Sequence, residues 1–109
     1  MSGEQKEPSG IKHDAGKRRF SLLPWGPVSS VVDVLEFGAR KYAVDNWQRV
    51  PEAEGRYANA AMRHIVARLS GERSDPESGL PHLAHAACCL LFWMWFDERG
   101  DAAQGGDDA

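Results

Sequence analysis

From Leu83 to Phe96 every residue except His85 is apolar or small. As a helix those fourteen residues would rise about 21 Å, too short for a bilayer core of about 30 Å. A helix that is apolar around its circumference must instead be covered by protein on every side. The whole chain has 109 residues, which suits one domain. A domain of that size buries only about 60 to 65% of its unfolded surface. Two further helices cannot surround the third. The sequence therefore predicts a small helical bundle completed by other copies of the chain, as a homodimer or homotetramer. The alternative is a monomer that leaves Trp93 or Trp95 partly exposed.

Proline and glycine mark where the other helices begin and stop. Pro27 suits a first helical turn, and Val28, Val31, Val32, Leu35, Ala39 and Tyr42 follow at helical spacing. A second helix runs from Pro51 or Glu54 to Leu69, with Tyr57, Ala58, Ala61, Met62, Ile65 and Leu69 on its apolar face and Gly71 as its stop. The third follows Gly79, carries Pro81 in its first turn and ends near Arg99-Gly100. No strand pattern of useful length occurs, so the expected class is all-α with three main helices. Residues 1–9 and 99–109 read as polar, frayed tails around one domain at 10–98. Leu22-Leu23-Pro24-Trp25 is expected to dock on the bundle.

Thirteen Lys and Arg stand against 16 Asp and Glu. That balance offers no general attraction to polymeric nucleic acid or to an anionic membrane. Cys88 and Cys89 are adjacent and point apart on a helix, so a disulfide-stapled secreted domain is excluded. No signal-peptide pattern precedes Phe20, and a cytoplasmic location is the expectation.

Chemistry concentrates in the linker before the third helix, where Glu72, Asp75 and Glu77 precede His82 and His85. Two imidazoles three residues apart share one helical face. With a carboxylate they can enclose one divalent cation. His64, at the end of the second helix, and Asp33 with Glu36, three apart on the first, are weaker candidates. The bland alternatives are solvated carboxylates, a helix cap at Asp75 or Ser78, and a core histidine at His85. Lys12, Lys17, Arg18 and Arg19 form a basic loop that can pair with phosphate oxygens or simply be solvated. Gly16-Lys17 lacks the upstream glycine of a P-loop. Lys41, Tyr42, Asn46 and Trp47 close the first helix. Asn46 offers an amide for a base edge, and Tyr42 or Trp47 a ring for stacking, or equally for core packing.

Lys12-His13-Asp14-Ala15-Gly16-Lys17-Arg18-Arg19, Leu22-Leu23-Pro24, Phe37-Gly38-Ala39-Arg40-Lys41-Tyr42, Asn46-Trp47, Arg63-His64 and Asp75-Pro76-Glu77-Ser78-Gly79-Leu80-Pro81-His82-Leu83-Ala84-His85-Ala86 follow one another in that order. Together they resemble the phage-associated dATP/dGTP diphosphohydrolase family, over about residues 11–97. The last stretch is the most specific.

The resemblance implies metal-dependent hydrolysis of a purine deoxynucleoside triphosphate to the monophosphate and pyrophosphate, in the cytoplasm of a bacterial host, encoded by a phage or prophage. The broader MazG-like all-α pyrophosphohydrolases hold divalent metal with Glu-x-x-Glu and Glu-x-x-Asp pairs. Here His82-x-x-His85 stands where an acidic pair is expected, and the nearest acidic pairs are Asp33-x-x-Glu36 and Glu72-x-x-Asp75. The resulting expectation places Mg²⁺, Mn²⁺ or Co²⁺ near Asp75, Glu77, His82 and His85, with Glu77 or Asp75 as the proton acceptor. Lys12, Asp14, Lys17, Arg19, Lys41, Tyr42, Asn46, Trp47 and Arg63 would hold the nucleotide. A nucleotide-binding regulator without turnover and a helical phage interaction module are the alternatives.

Overall fold

A computed structural model of the chain describes residues 8–108. Three helices dominate it: α1 at Trp25–Lys41, α2 at Ala53–Leu69 and α3 at His82–Asp108. Short 3₁₀ turns at Phe20–Leu22 and Asn46–Arg49 precede α1 and α2. The fold is all-α, and the described residues contain no strand, only an isolated bridge between Ser74 and Pro81. Residues 1–7 of the tail expected at 1–9, and residue 109, lie outside the described residues. α3 continues beyond the stop expected at Arg99-Gly100. A glycine inside a helix costs about 1 kcal/mol against alanine and does not by itself end it.

α3 is the central element, packed mainly on α2 and to a smaller extent on α1. Its buried apolar residues are small, Ala84, Ala86, Cys88 and Cys89, and Val34 of α1 and Ala53 and Ala61 of α2 are buried as well. Small side chains let helix backbones approach closely, so α3 is held with little bulk in the interface. Val31, Leu80 and Phe92 pack around the cluster of Val34, Ala84 and Cys88. Burial pushes the Cys88 thiol up to about 12, and its sulfur faces the Val31 carbonyl at 3.5 Å. Both cysteines are free.

An aromatic cluster closes the other part of the bundle. Trp47 lies flat on Phe92, with ring centres 4.3 Å apart and planes 11° apart, and meets Trp95 edge-on at 5.0 Å. Tyr57 packs against Phe92 and donates its hydroxyl proton to the Trp47 carbonyl at 3.1 Å. The connection between α1 and α2 is thereby pinned to α3.

Two expectations need correction. Leu22-Leu23-Pro24-Trp25 does not dock: Leu22 is 71% and Trp25 53% exposed. The reason is that α1 packs mainly on α3, leaving no second helix beneath the segment that enters it. The valine stripe of α1 is packed only in part: Val31 lies against the core cluster and Val28 and Ala39 are half-buried, whereas Val32, Leu35 and Tyr42 are exposed and the fully buried Val34 lies outside the stripe. Further apolar groups on α2 (Met62, Ile65, Val66, Leu69) and on α3 (Leu83, Leu90, Leu91, Met94) also face outward. No helix among the described residues is long and apolar enough to cross a membrane.

Candidate functional site

The 70–81 connection folds into a tight hairpin that delivers its side chains to the ends of α2 and α3. Gly71 ends α2 at φ +104° and Gly79 turns the loop at φ +74°, values that suit glycine because it lacks a Cβ. Between them, the Asp75 N–H donates to the Leu80 carbonyl and the Gly79 N–H to the Asp75 carbonyl, each at 2.8 Å. The His82 N–H donates to the Arg73 carbonyl at 2.9 Å. Pro81 sits just before α3, and its carbonyl accepts the Ala84 and His85 N–H groups.

This hairpin sets three imidazoles side by side. His64 comes from α2, and His82 and His85 from the first turn of α3. The His64 and His85 rings are stacked, 4.6 Å between centres and 12° between planes. Nδ1 of His64 and Nδ1 of His82 are only 2.8 Å apart, close enough to share a proton. Asp75 completes the group: one ligating atom each from His64, Asp75 and His82 lie within 4.8 Å of one another. His82 is 4% exposed, and the other two are half-buried.

The electrostatics follow from crowding. Burial, followed by the neighbouring His85 and His82, lowers the pKa of His64. Burial also lowers that of His85, with Asp75 opposing it and His82 reinforcing it. Neutral rings, with nitrogen lone pairs available, are thus favoured. For Asp75 burial acts upward, but the N–H groups of Ser78 and Glu77 and the charge of His85 outweigh it and hold the carboxyl below its usual range. Its Oδ2 accepts those two N–H groups at 3.0 and 3.1 Å.

Other sequence candidates are placed differently. His85 Nε2 is 2.7 Å from the Ser78 hydroxyl, which also accepts the Leu80 N–H, so His85 braces the loop. Glu77 turns to Lys41 at the end of α1 and forms an ion pair with it. The carboxylate raises the lysine pKa. Lys41 also lies 5.2 Å from the Tyr42 ring centre, and Phe37 meets His85 edge-on. The end of α1 therefore borders the imidazole group. Trp47 belongs to the aromatic cluster, with Asn46 half-buried beside it. Arg63 lines a shallow groove with Asn59, Met62, Val66 and Ala67. Lys12, Asp14, Lys17 and Arg19 are exposed in the loop before α1. Asp33 and Glu36 are exposed on α1 and join no three-residue metal-binding group among the described residues.

Two pairings, of residues already singled out in the linker, escaped sequence reasoning. Glu72 Oε1 lies 2.7 Å from His82 Nε2, and Ser78 holds His85. Spacing carries no signal for either, because the hairpin rather than a helix brings them together. The paired glycines, Gly71 and Gly79, were the available hint.

A family model described as dATP/dGTP diphosphohydrolase, N-terminal, matches residues 7–105. A protein of Salmonella phage PMBT28 named dATP/dGTP diphosphohydrolase is 38% identical over 106 residues, covering 90% of this chain and 36% of the relative. The chain thus spans about a third of that relative's length. No solved structure matches.

Proposed function

The chain belongs to the family described as dATP/dGTP diphosphohydrolase, N-terminal, and on that premise we propose that it is a divalent-cation-dependent hydrolase of purine deoxynucleoside triphosphates. The reaction is dATP or dGTP plus water to the deoxynucleoside monophosphate and pyrophosphate. The observation that carries this reading is the grouping of His64, Asp75 and His82.

The donor chemistry fits a cation. Once the proton between the two imidazole nitrogens, 2.8 Å apart, has left, they and an ionised carboxylate offer three lone-pair donors from three different segments. Two histidines and one carboxylate favour Mn²⁺, Co²⁺ or Zn²⁺ over Mg²⁺, which prefers oxygen ligands. Bound there, such an ion supplies phosphate charge neutralisation and lowers the pKa of a water. The chain's own residues supply the rest. Lys41, at the edge of the imidazole group, pairs with substrate phosphate oxygens in place of Glu77. Glu77, released from that pair, accepts the proton of the attacking water. Lys12, Lys17 and Arg19 add positive charge as the triphosphate is cleaved. Asp14, Tyr42, Asn46 and Arg63 contribute to nucleotide binding. The exposed apolar stripes of α2 and α3 support a homodimer or homotetramer.

The decisive experiment offers dNTPs and NTPs to the chain with Mg²⁺, Mn²⁺ or Co²⁺ and separates the products by chromatography. Release of dNMP and pyrophosphate is expected, and loss of it in His64→Ala and Asp75→Asn. A second reading rests on the exposed basic residues Lys12, Lys17 and Arg19, which can hold a triphosphate without cleaving it: a nucleotide-binding regulatory module without turnover. Tight dGTP binding with no product in any metal would select it.

A further inference from the structure

Resting on the reading that His64, Asp75 and His82 hold a cation, we infer that Glu72 is a positioning residue that fixes His82 in its Nε2–H tautomer and leaves the Nδ1 lone pair facing His64 and Asp75. The argument is one of proton counting. An ionised carboxylate only accepts hydrogen bonds, so the 2.7 Å contact between Glu72 Oε1 and His82 Nε2 places a proton on Nε2. A neutral imidazole carries one N–H, so Nδ1 is the acceptor. The 2.8 Å contact on the other side of the ring is then an N–H of His64 donating to His82 Nδ1.

Burial makes this arrangement hard to replace. His82 is 4% exposed, so solvent has little access to either ring nitrogen. The backbone bond from the His82 N–H to the Arg73 carbonyl holds the main chain but says nothing about the ring. Only the Glu72 side chain, half-exposed at 52%, selects between the two tautomers. His82 is therefore preset as a ligand. To ligate a cation beside His82 through Nδ1, His64 would have to carry its proton on Nε2 instead. Carboxylate partners of ligating histidines raise metal affinity about 10- to 100-fold, and Glu72 is expected to act in that range.

The test has two arms. In metal-free ¹⁵N-labelled protein at about pH 8, above the ordinary imidazole range, long-range ¹H–¹⁵N correlation spectra report the tautomer of each ring. His82 should be Nε2–H in the wild type, retained in Glu72→Gln and mixed in Glu72→Ala. An Nδ1–H ring or an imidazolium in the wild type overturns the inference. In the second arm Co²⁺ binding is followed by its visible absorption. Affinity should fall about 10- to 100-fold in Glu72→Ala, with partial rescue in Glu72→Gln, whose amide oxygen still accepts from Nε2–H. Unchanged affinity in Glu72→Ala overturns the inference while leaving the cation site intact. Absence of Co²⁺ binding by the wild type overturns the cation reading and Glu72's role in metal affinity with it. The nitrogen spectra still decide the tautomer.

Discussion

Replacing Trp47 with alanine separates two roles that the sequence left open for that ring, base stacking and packing. Its indole lies on Phe92 at 4.3 Å and meets Trp95 and Phe96 edge-on. Its backbone carbonyl takes the Tyr57 hydroxyl proton. Truncating a core tryptophan costs about 3 to 5 kcal/mol, and Trp47 is only half-buried, so the lower end, about 3 kcal/mol, is expected. For a domain near this size each kcal/mol moves the melting temperature about 4 to 8 °C, giving a loss of roughly 12 to 24 °C. Trp47→Phe keeps a flat ring for Phe92 and should lose only about 1 kcal/mol. Thermal unfolding and dGTP binding should be measured on the same samples at a temperature where both variants are folded. Binding should then be little altered. A Trp47→Ala variant that melts within about 3 °C of wild type but no longer binds dGTP would refute the packing argument and make the ring a nucleotide platform.

Acid should destabilise the fold through the imidazole group. His64 and His85 have pKa values lowered below 6.5 in the fold, so the unfolded chain takes up more protons below that pH. Their contribution is present above pH 6.5 and is lost as pH falls toward the folded values. Melting temperatures recorded from pH 8 to 5 should decline below about 6.5, and a flat profile contradicts the crowding described above. Asp75→Asn should keep the turn, because an amide oxygen still accepts the Ser78 N–H, while weakening Co²⁺ binding; full Co²⁺ affinity in that variant removes Asp75 from the donor set. Glu77→Gln should retain Co²⁺ binding and melting temperature yet lose turnover, and normal turnover would dismiss Glu77 as the proton acceptor. Leu91→Glu places a charge on an outward apolar face that is half-exposed within one chain. Light scattering should show it as a folded monomer beside an oligomeric wild type, and a wild type monomeric at micromolar concentration rejects the assembly.

The number of helices and their approximate ends were legible because prolines and glycines act locally. Pro27 lies in the first turn of α1, and Gly71 ends α2 at positive φ. The continuous apolar character of α3 also announced a central element. Burial was less legible. A stripe of valines on α1 shows that a face is apolar, not which neighbour covers it, and only the packing of α1 on α3 singled out Val34.

The site divides in the same way. His82, His85 and Asp75 could be proposed from the linker alone, since close sequence spacing puts them in one neighbourhood. That spacing does not set which atoms converge. The hairpin turned Glu77 toward Lys41, gave His85 to Ser78 and brought His64 from another helix to within 2.8 Å of His82. Hydrogen bonding is directional and short-ranged, so ligand and partner roles depend on ångström-scale placement. Residue type and order determined that this chain makes helices and gathers imidazoles. The tertiary fold decided which nitrogens face one another, and that Glu72 stands behind His82.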